Sequence, residues 1–370
     1  MSGATNERPG SPWKDGIGLW LAAALAVLTS GCLQGPYLLQ AVYGQDELSY
    51  RARPIAEVLR DESTPESTRR MLALVEDIKR FGVSRGLKPT DNYREYVDLG
   101  QAAPVWNVSA SLPLRFEPVT WTFPVVGSVP YLGWFNERDA LAQASRLRAQ
   151  GYDVDLRPVR AYSTLGWFDD PVLSSMIRPR PSAVGDLVNV VLHESVHVTH
   201  YVAYQSFFNE SLANFVANEL TIEYLRDELA LDRWQLLAYR EASARRDFRA
   251  RRFHETYQRL DKLYASSLSD TDKLTSKQQI TEALRQELDF GRPINNAVLS
   301  QSRAYNAGAP VLDQLLSCVD RDWHRFWEAI LAIDSEAFAE PQQADIVPLV
   351  RPFMTRCTSM RRPTPASTRR

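Results

Sequence analysis

Val190-Val191-Leu192-His193-Glu194-Ser195-Val196-His197-Val198-Thr199-His200, followed by Phe207-Phe208-Asn209-Glu210-Ser211-Leu212-Ala213-Asn214-Phe215, is the stretch around which the rest of the chain is organised. His193 and His197 stand at i and i+4, so on a helix their imidazoles lie one above the other and can share one metal ion. Glu194 sits beside them. Two neutral imidazole ligands plus a glutamate that takes a proton from the attacking water is the HExxH arrangement of zinc hydrolases. With five His in the chain, a chance match is on the order of one in a few hundred. The competing reading is a buried helix with ordinary core histidines, and the second half of the stretch argues against it.

A catalytic zinc takes three protein ligands and leaves one position open, and two His with one Glu is a common set. Glu210 is the third ligand by this reading. It follows His197 by thirteen residues, enough for the helix to finish near Tyr204, turn through Gln205 to Phe208 and restart with Asn209 as N-cap. Asn214 then falls on the face of Glu210, where it can bond the free ring nitrogen of a ligating His. His200 is about 10 Å along the axis from His193, too far to share an ion. Glu219 stays open as a rival, because thermolysin-like enzymes place this glutamate about twenty residues after the second His.

A chain of 370 residues with 44% apolar and 24% charged residues buries a sizeable core, as one large domain or two tightly joined ones. Its formal charge of −2 offers no general attraction to nucleic acid, and no finger, RNP or P-loop pattern is present. A small molecule or peptide is the expected partner.

Residues 1–31 read as an export signal. The apolar run Ile17 to Leu28 is shorter than the ~20 residues a membrane span needs, and Leu28-Thr29-Ser30-Gly31-Cys32 resembles a lipobox, in which Cys32 is lipidated and anchors the protein to a membrane. An uncleaved signal anchor over Ile17 to Leu33 is the alternative. Either way the remainder lies on the periplasmic side, where Cys318 and Cys357 are free to pair.

The remainder, 32–360, reads as a single α+β, predominantly helical domain: a helical and β part over 32–180, then the metal helices and a helical C-terminal part over 181–360. Helices are expected over Glu47–Arg60 and Pro65–Gly82, the latter burying Met71, Leu72, Val75 and Ile78. From Tyr93 to Phe135 the pattern alternates, predicting a small antiparallel sheet with strands at Tyr93–Val97, Val105–Val108, Leu114–Phe116 and Val119–Phe123. An Asn136-capped helix closes at Gly151. Tyr152–Tyr162 is then an edge strand of the kind that pairs with a substrate backbone. It leads into Ala161–Pro171, a cleft wall or a tightly packed loop. Further helices are expected over Leu231–Ser266, Ser276–Phe290, Asn295–Tyr305 and Ala309–Ile333. The arginines between Arg240 and Arg252 form a solvated face, and 361–370 is a disordered tail.

Several motifs in one order resemble a predicted zinc aminopeptidase family of Gram-negative bacteria, exported gluzincin-like HExxH proteins. They are Gly31-Cys32, Gly44-Gln45, Arg51 to Ile55, Val129 to Phe135, Ala161 to Pro171, His193 to His197, Phe208 to Ala213, and Asn295-Asn296-Ala297 with Tyr305. The resemblance implies a zincin-like metallopeptidase using Zn2+ on a peptide substrate. Glu194 is then the general base and acid. Tyr305 is the first candidate for stabilising the oxyanion, ahead of Tyr162 and His254. Asp169 and Asp170 are the motif-associated carboxylates available to a substrate amine. An aminopeptidase or dipeptidase, a zinc endopeptidase of the envelope, and a catalytically silent envelope lipoprotein are the three readings that compete.

Overall fold

The computed structural model describes residues 34–101, 103–123, 127–159, 169–229, 233–300, 308–343 and 345–360. The leader, Cys32 and the tail 361–370 lie outside them, and among the described residues no helix is long and apolar enough to cross a membrane.

Helix α1 (Gln34–Arg51) gives way to the short strand β1 (Arg53–Pro54), and α2 (Ile55–Arg60) follows. The single helix expected over Glu47–Arg60 is therefore broken. Pro54 has no N–H to continue the ladder, and the residue before a proline is driven out of the helical region. Helices α3 (Glu66–Ala73) and α4 (Val75–Ser84) run on from each other through Leu74. They bury Leu72, Val75 and Ile78 as expected, with Met71 partly buried against the same core.

The β region contains β2 (Glu95–Val97), β3 (Val105–Ser111), β4 (Trp121–Phe123), β5 (Gly127–Val129), β6 (Leu132–Trp134), β7 (Asp153–Val159) and β8 (Val172–Leu173), with α5 (Glu137–Ala149) between β6 and β7. Instead of one antiparallel sheet it forms three small ones. Their orders are β1-β2-β8, in which β2 and β8 run parallel, β6-β3-β7, and the pair β4-β5. Leu114–Phe116 is not a strand. The Ser111 hydroxyl donates to the carbonyls of Arg115 and Glu117, turning the chain, and the Phe116 ring leaves to pack 4.0 Å from that of Tyr257.

In the β6-β3-β7 sheet, Trp106, Val108 and Ala110 share a face with Leu132 and Val154 and pack on Ala140, Ala144 and Leu147 of α5. The Asn136 carboxamide caps α5 at the backbone N–H of Arg138, and Gly151 at φ 87° leads out of it, a conformation that favours glycine. The β6 edge is closed by α1, whose Gln40 and Tyr37 side chains bond the backbone of Gly133 and Phe135. That leaves β7 as the other edge strand, with Pro158 in it, consistent with the rule that strand prolines sit at edges.

The helices α6 (Ala183–Thr199), α7 (Ser206–Asp227), α8 (Arg233–Tyr264), α9 (Asp270–Glu287), α10 (Asn296–Ser300), α11 (Ala309–Cys318), α12 (Trp323–Leu331) and α13 (Val347–Met360) complete the described chain. The helix expected over Ala309–Ile333 is split into α11 and α12. Asp320 and Arg321 adopt φ of 59° and 57°, and the Asp322 carboxylate restarts the helix by accepting from His324 and Arg325. One large core joins α3, α4, α6, α7, α11, α12 and α13, and a smaller one joins α8, α9 and α10 through Leu260, Leu284, Val298 and Leu299. The arginine-rich part of α8 is largely exposed and tied by ion pairs such as Arg245–Glu241 and Arg252–Glu287. Cys318 is disulfide-bonded, while the side chain of Cys357 lies outside the described residues.

Candidate metal centre

Helix α6 buries Leu187, Val188, Val191, Leu192, Ser195 and Val196 against the large core, which leaves His193, Glu194 and His197 on its partly open face. The buried hydroxyls cost little, because Ser195 and Thr199 donate to the carbonyls of Val191 and Ser195, each at 2.7 Å. The helix ends at Thr199, one turn earlier than expected. The connection His200–Gln205 is held by Asn209, which is not an N-cap but a buried residue inside α7. Its carboxamide accepts from Val202 N at 2.9 Å and donates to Val202 O at 2.8 Å. The amide satisfies a buried peptide group at both ends, and a cap satisfies only one. It also fixes the register of α7, so that the next residue, Glu210, faces the histidines.

His193 and His197 Nε2 stand 3.1 Å apart, and the Glu210 carboxylate oxygens lie 3.5 Å from the first and 3.4 Å from the second. Two ligands about 2.0–2.1 Å from one ion at the tetrahedral angle are separated by about 3.4 Å. The three donors therefore fit a single zinc-sized cation, and the two-imidazole, one-carboxylate set is the right chemistry for it.

The electrostatics agree. Burial alone would raise the Glu210 carboxyl, but hydrogen bonding to His193 and His197 and their charge hold it far below the usual carboxylate range. Burial works to lower His193; contact with Glu210 and the charge of Glu194 overcome it and raise the imidazole above its ordinary value. Asn214, four residues after Glu210, makes a polar contact with His193. His197 Nδ1 is buried and has no hydrogen-bond partner among the described residues.

The rival ligands go elsewhere. His200 turns to Phe208 and the Ile333 carbonyl, and burial lowers its pKa. Glu219 pairs with Arg321. His254 stacks on Tyr257 and bonds Gln258 within α8. Tyr305 and Tyr162 lie outside the described residues.

Two tyrosines that sequence reasoning passed over stand near the centre. Tyr131, between β5 and β6, has its phenol raised by burial and by the charge of Glu210, with Arg157 acting in the opposite sense. Its only sequence signal is its place in the aromatic segment Val129–Phe135. Tyr93 is buried at φ 65°, its hydroxyl has no partner among the described residues, and burial, then the charges of Glu194 and Asp170, push its phenol well up. Tyr93 N donates to Asp170 O at 2.7 Å and Asp170 N to Asn92 Oδ1 at 3.1 Å, which fastens the start of the 169–171 segment near Glu194. Asp170 is buried there, whereas Asp169 is exposed and acts on Lys79. Two surface hollows of about 410 and 290 Å3 open around α4 and include none of the three ligands.

No curated protein and no solved structure matches the chain. A family model described as "putative aminopeptidase" matches residues 36–344, which takes in the sheet, the metal helices and most of the C-terminal helices, and the chain belongs to that family.

Proposed function

We propose that the protein is a zinc-dependent peptidase, most simply an aminopeptidase, with His193, His197 and Glu210 as the zinc ligands. One observation carries this reading: three ligand atoms at tetrahedral spacing, next to Glu194, on a face open to solvent. A zinc ion bound there supplies a Lewis acid and brings the pKa of water down to about 7. Glu194 accepts the proton of the attacking water on its carboxylate and returns it to the nitrogen of the leaving amine. The Tyr131 hydroxyl, a phenol protonated at neutral pH, donates to the carbonyl oxygen as negative charge builds there. Tyr305, the sequence candidate for this role, lies outside the described residues. The edge of β7 beyond Val154, whose carbonyl is already held by Asn295, receives the peptide backbone.

Glu194→Gln keeps shape and packing but removes the proton acceptor. Zinc content and folding are expected to survive while turnover falls ~10²–10⁴-fold. Cleavage of free but not N-acetylated peptides supports the aminopeptidase. Cleavage of both makes it an endopeptidase. A zinc-loaded wild-type protein that cleaves neither is a binding module, and the peptidase reading then fails.

We also propose that Cys32 is lipidated and holds the protein at the periplasmic face of a membrane, on the strength of the short apolar run that ends at it. Acyl labelling is expected to vanish in Cys32→Ser, and unchanged labelling overturns the anchor.

A further inference from the structure

Helix α8 is seated on the metal helices by one face. The Tyr239 ring is buried, its hydroxyl donates to Asn218 Oδ1 at 3.1 Å and accepts from Asn189 at 3.0 Å, and Arg246 reaches Asp186 of α6 at 3.1 Å. Ser243, on the same side, donates to Asn218 Oδ1 at 3.3 Å. At about 100° per residue these positions lie within one arc, and the opposite arc carries Trp234, Leu237, Glu241, Ala244 and Phe248, three and four residues apart in turn. That arc is open. Trp234 is 56% exposed, Leu237 65% and Phe248 44%, and Glu241 and Ala244 are exposed with them.

The stripe runs between two rows of arginine. Arg233, Arg240 and Arg251 fall on one flank, and Arg245 and Arg249 on the other. All five are exposed, against two exposed carboxylates in the same stretch, Glu241 and Asp247. Arg245 is paired with Glu241, whereas Arg233, Arg240 and Arg249 enter no ion pair among the described residues. Arg251 stands 5.9 Å over the Phe248 ring. Every basic residue from 233 to 252 is an arginine, none a lysine. Single exposed apolar side chains are ordinary on a protein surface, but three in one stripe, edged by cations, form a patch.

We propose that the stripe from Trp234 to Phe248 is a docking surface for an anionic lipid bilayer, with the indole, Leu237 and Phe248 entering the acyl boundary and the flanking arginines on lipid phosphates. Trp, Leu and Phe along one line of a helix with cations beside them is the pattern of a helix that lies in the plane of the headgroups. The guanidinium fork meets phosphate oxygens with two parallel hydrogen bonds, a geometry that lysine lacks. Charge argues against a second copy as the occupant, because a two-fold contact sets the same positive face against itself, whereas an anionic surface neutralises it. A soluble polyanion neutralises the arginines but leaves Leu237 in water. Glu241 within the stripe is already held by Arg245. Because α8 is bonded to α6 and α7, docking fixes the metal helices relative to the bilayer. The inference goes beyond the peptidase reading and needs neither the zinc nor an acyl chain on Cys32.

The test is hydroxyl-radical footprinting of the full chain, in which labelling of the Trp234 and Phe248 rings reports their access to water. The probes are vesicles of phosphatidylcholine alone and vesicles of phosphatidylcholine and phosphatidylglycerol in equal parts. Labelling of both rings is expected to fall severalfold on the mixed vesicles and to stay unchanged on phosphatidylcholine. A tether through the N-terminal leader acts on both vesicles alike and does not imitate this difference. Arg240→Glu combined with Arg249→Glu is expected to weaken partitioning onto the mixed vesicles by at least ~25-fold, about fivefold for each arginine lost. Leu237→Ser is expected to weaken it with the charge intact. Circular dichroism and the labelling of exposed Tyr204 without vesicles, both unchanged, show that the variants are folded. Labelling that the mixed vesicles leave unaltered, equal protection by both vesicles, or protection that survives in the double variant overturns the proposal. So does protection that grows with protein concentration in the absence of lipid, which assigns the face to a second copy. Protection by mixed vesicles in a protein that cleaves no peptide, or whose Cys32 carries no acyl chain, ends those readings and leaves the docking surface standing.

Discussion

The helix pair α6–α7 and the β6-β3-β7 sheet are built by different means. In the helix pair all three candidate metal ligands fall within the span His193 to Glu210, and the 3.6-residue period with one buried amide clamp does the positioning. In the sheet the polar groups come from four separated places: Asn107, Tyr131, Arg157 and Arg292. Strand register sets the relation of Asn107 to Arg157, and the ion pair of Arg292 with Asp155 sets the last. In the helix pair Asn209 satisfies both the N–H and the carbonyl of Val202, while His197 Nδ1 has no hydrogen-bond partner among the described residues; in the sheet the Arg157 guanidinium has none among them either. A metal needs its ligands within a few ångströms of each other, a distance that local periodicity reaches. The polar face of a sheet draws on distant segments, and only their packing brings its groups together.

The contrast is sharpest if the helix pair is broken first. His193→Ala or His197→Ala is expected to lose the single zinc per chain and with it all measurable hydrolysis. Full zinc occupancy in both variants, read by elemental analysis, would remove the metal centre. Tyr131→Phe probes the point where the two regions meet. It is expected to lower kcat by about 10²-fold, the lower end of the range for one oxyanion donor, with zinc content unchanged; unaltered kcat places the donor elsewhere. Asn214→Ala has the smallest effect. It removes a polar contact on His193 and is expected to weaken zinc affinity by ~10–100-fold with little change in kcat at saturating metal. An affinity equal to wild type would show that His193 needs no support from α7.

From the sequence by itself came the predominantly helical α+β class, the gathering of His193, His197 and Glu210 as a candidate metal triad with Glu194 beside it, and the edge position of β7. Each is encoded within a turn or two of helix or in a short alternating run, so neighbouring residues determine it. Tertiary structure alone decided the rest. Asn209 reads as a cap from its type, but burial against the 200–205 connection made it a clamp. Leu114–Phe116 reads as a strand by alternation, but Phe116 finds Tyr257 and Tyr264 in a helix more than a hundred residues away. The approach of Tyr131 to Glu210, and the surplus charge of Arg157 beside an Asp155 already held by Arg292, follow from the pairing and packing of segments far apart in the chain. The free energy of such contacts depends on which surfaces become buried together, and no local pattern of residues records that.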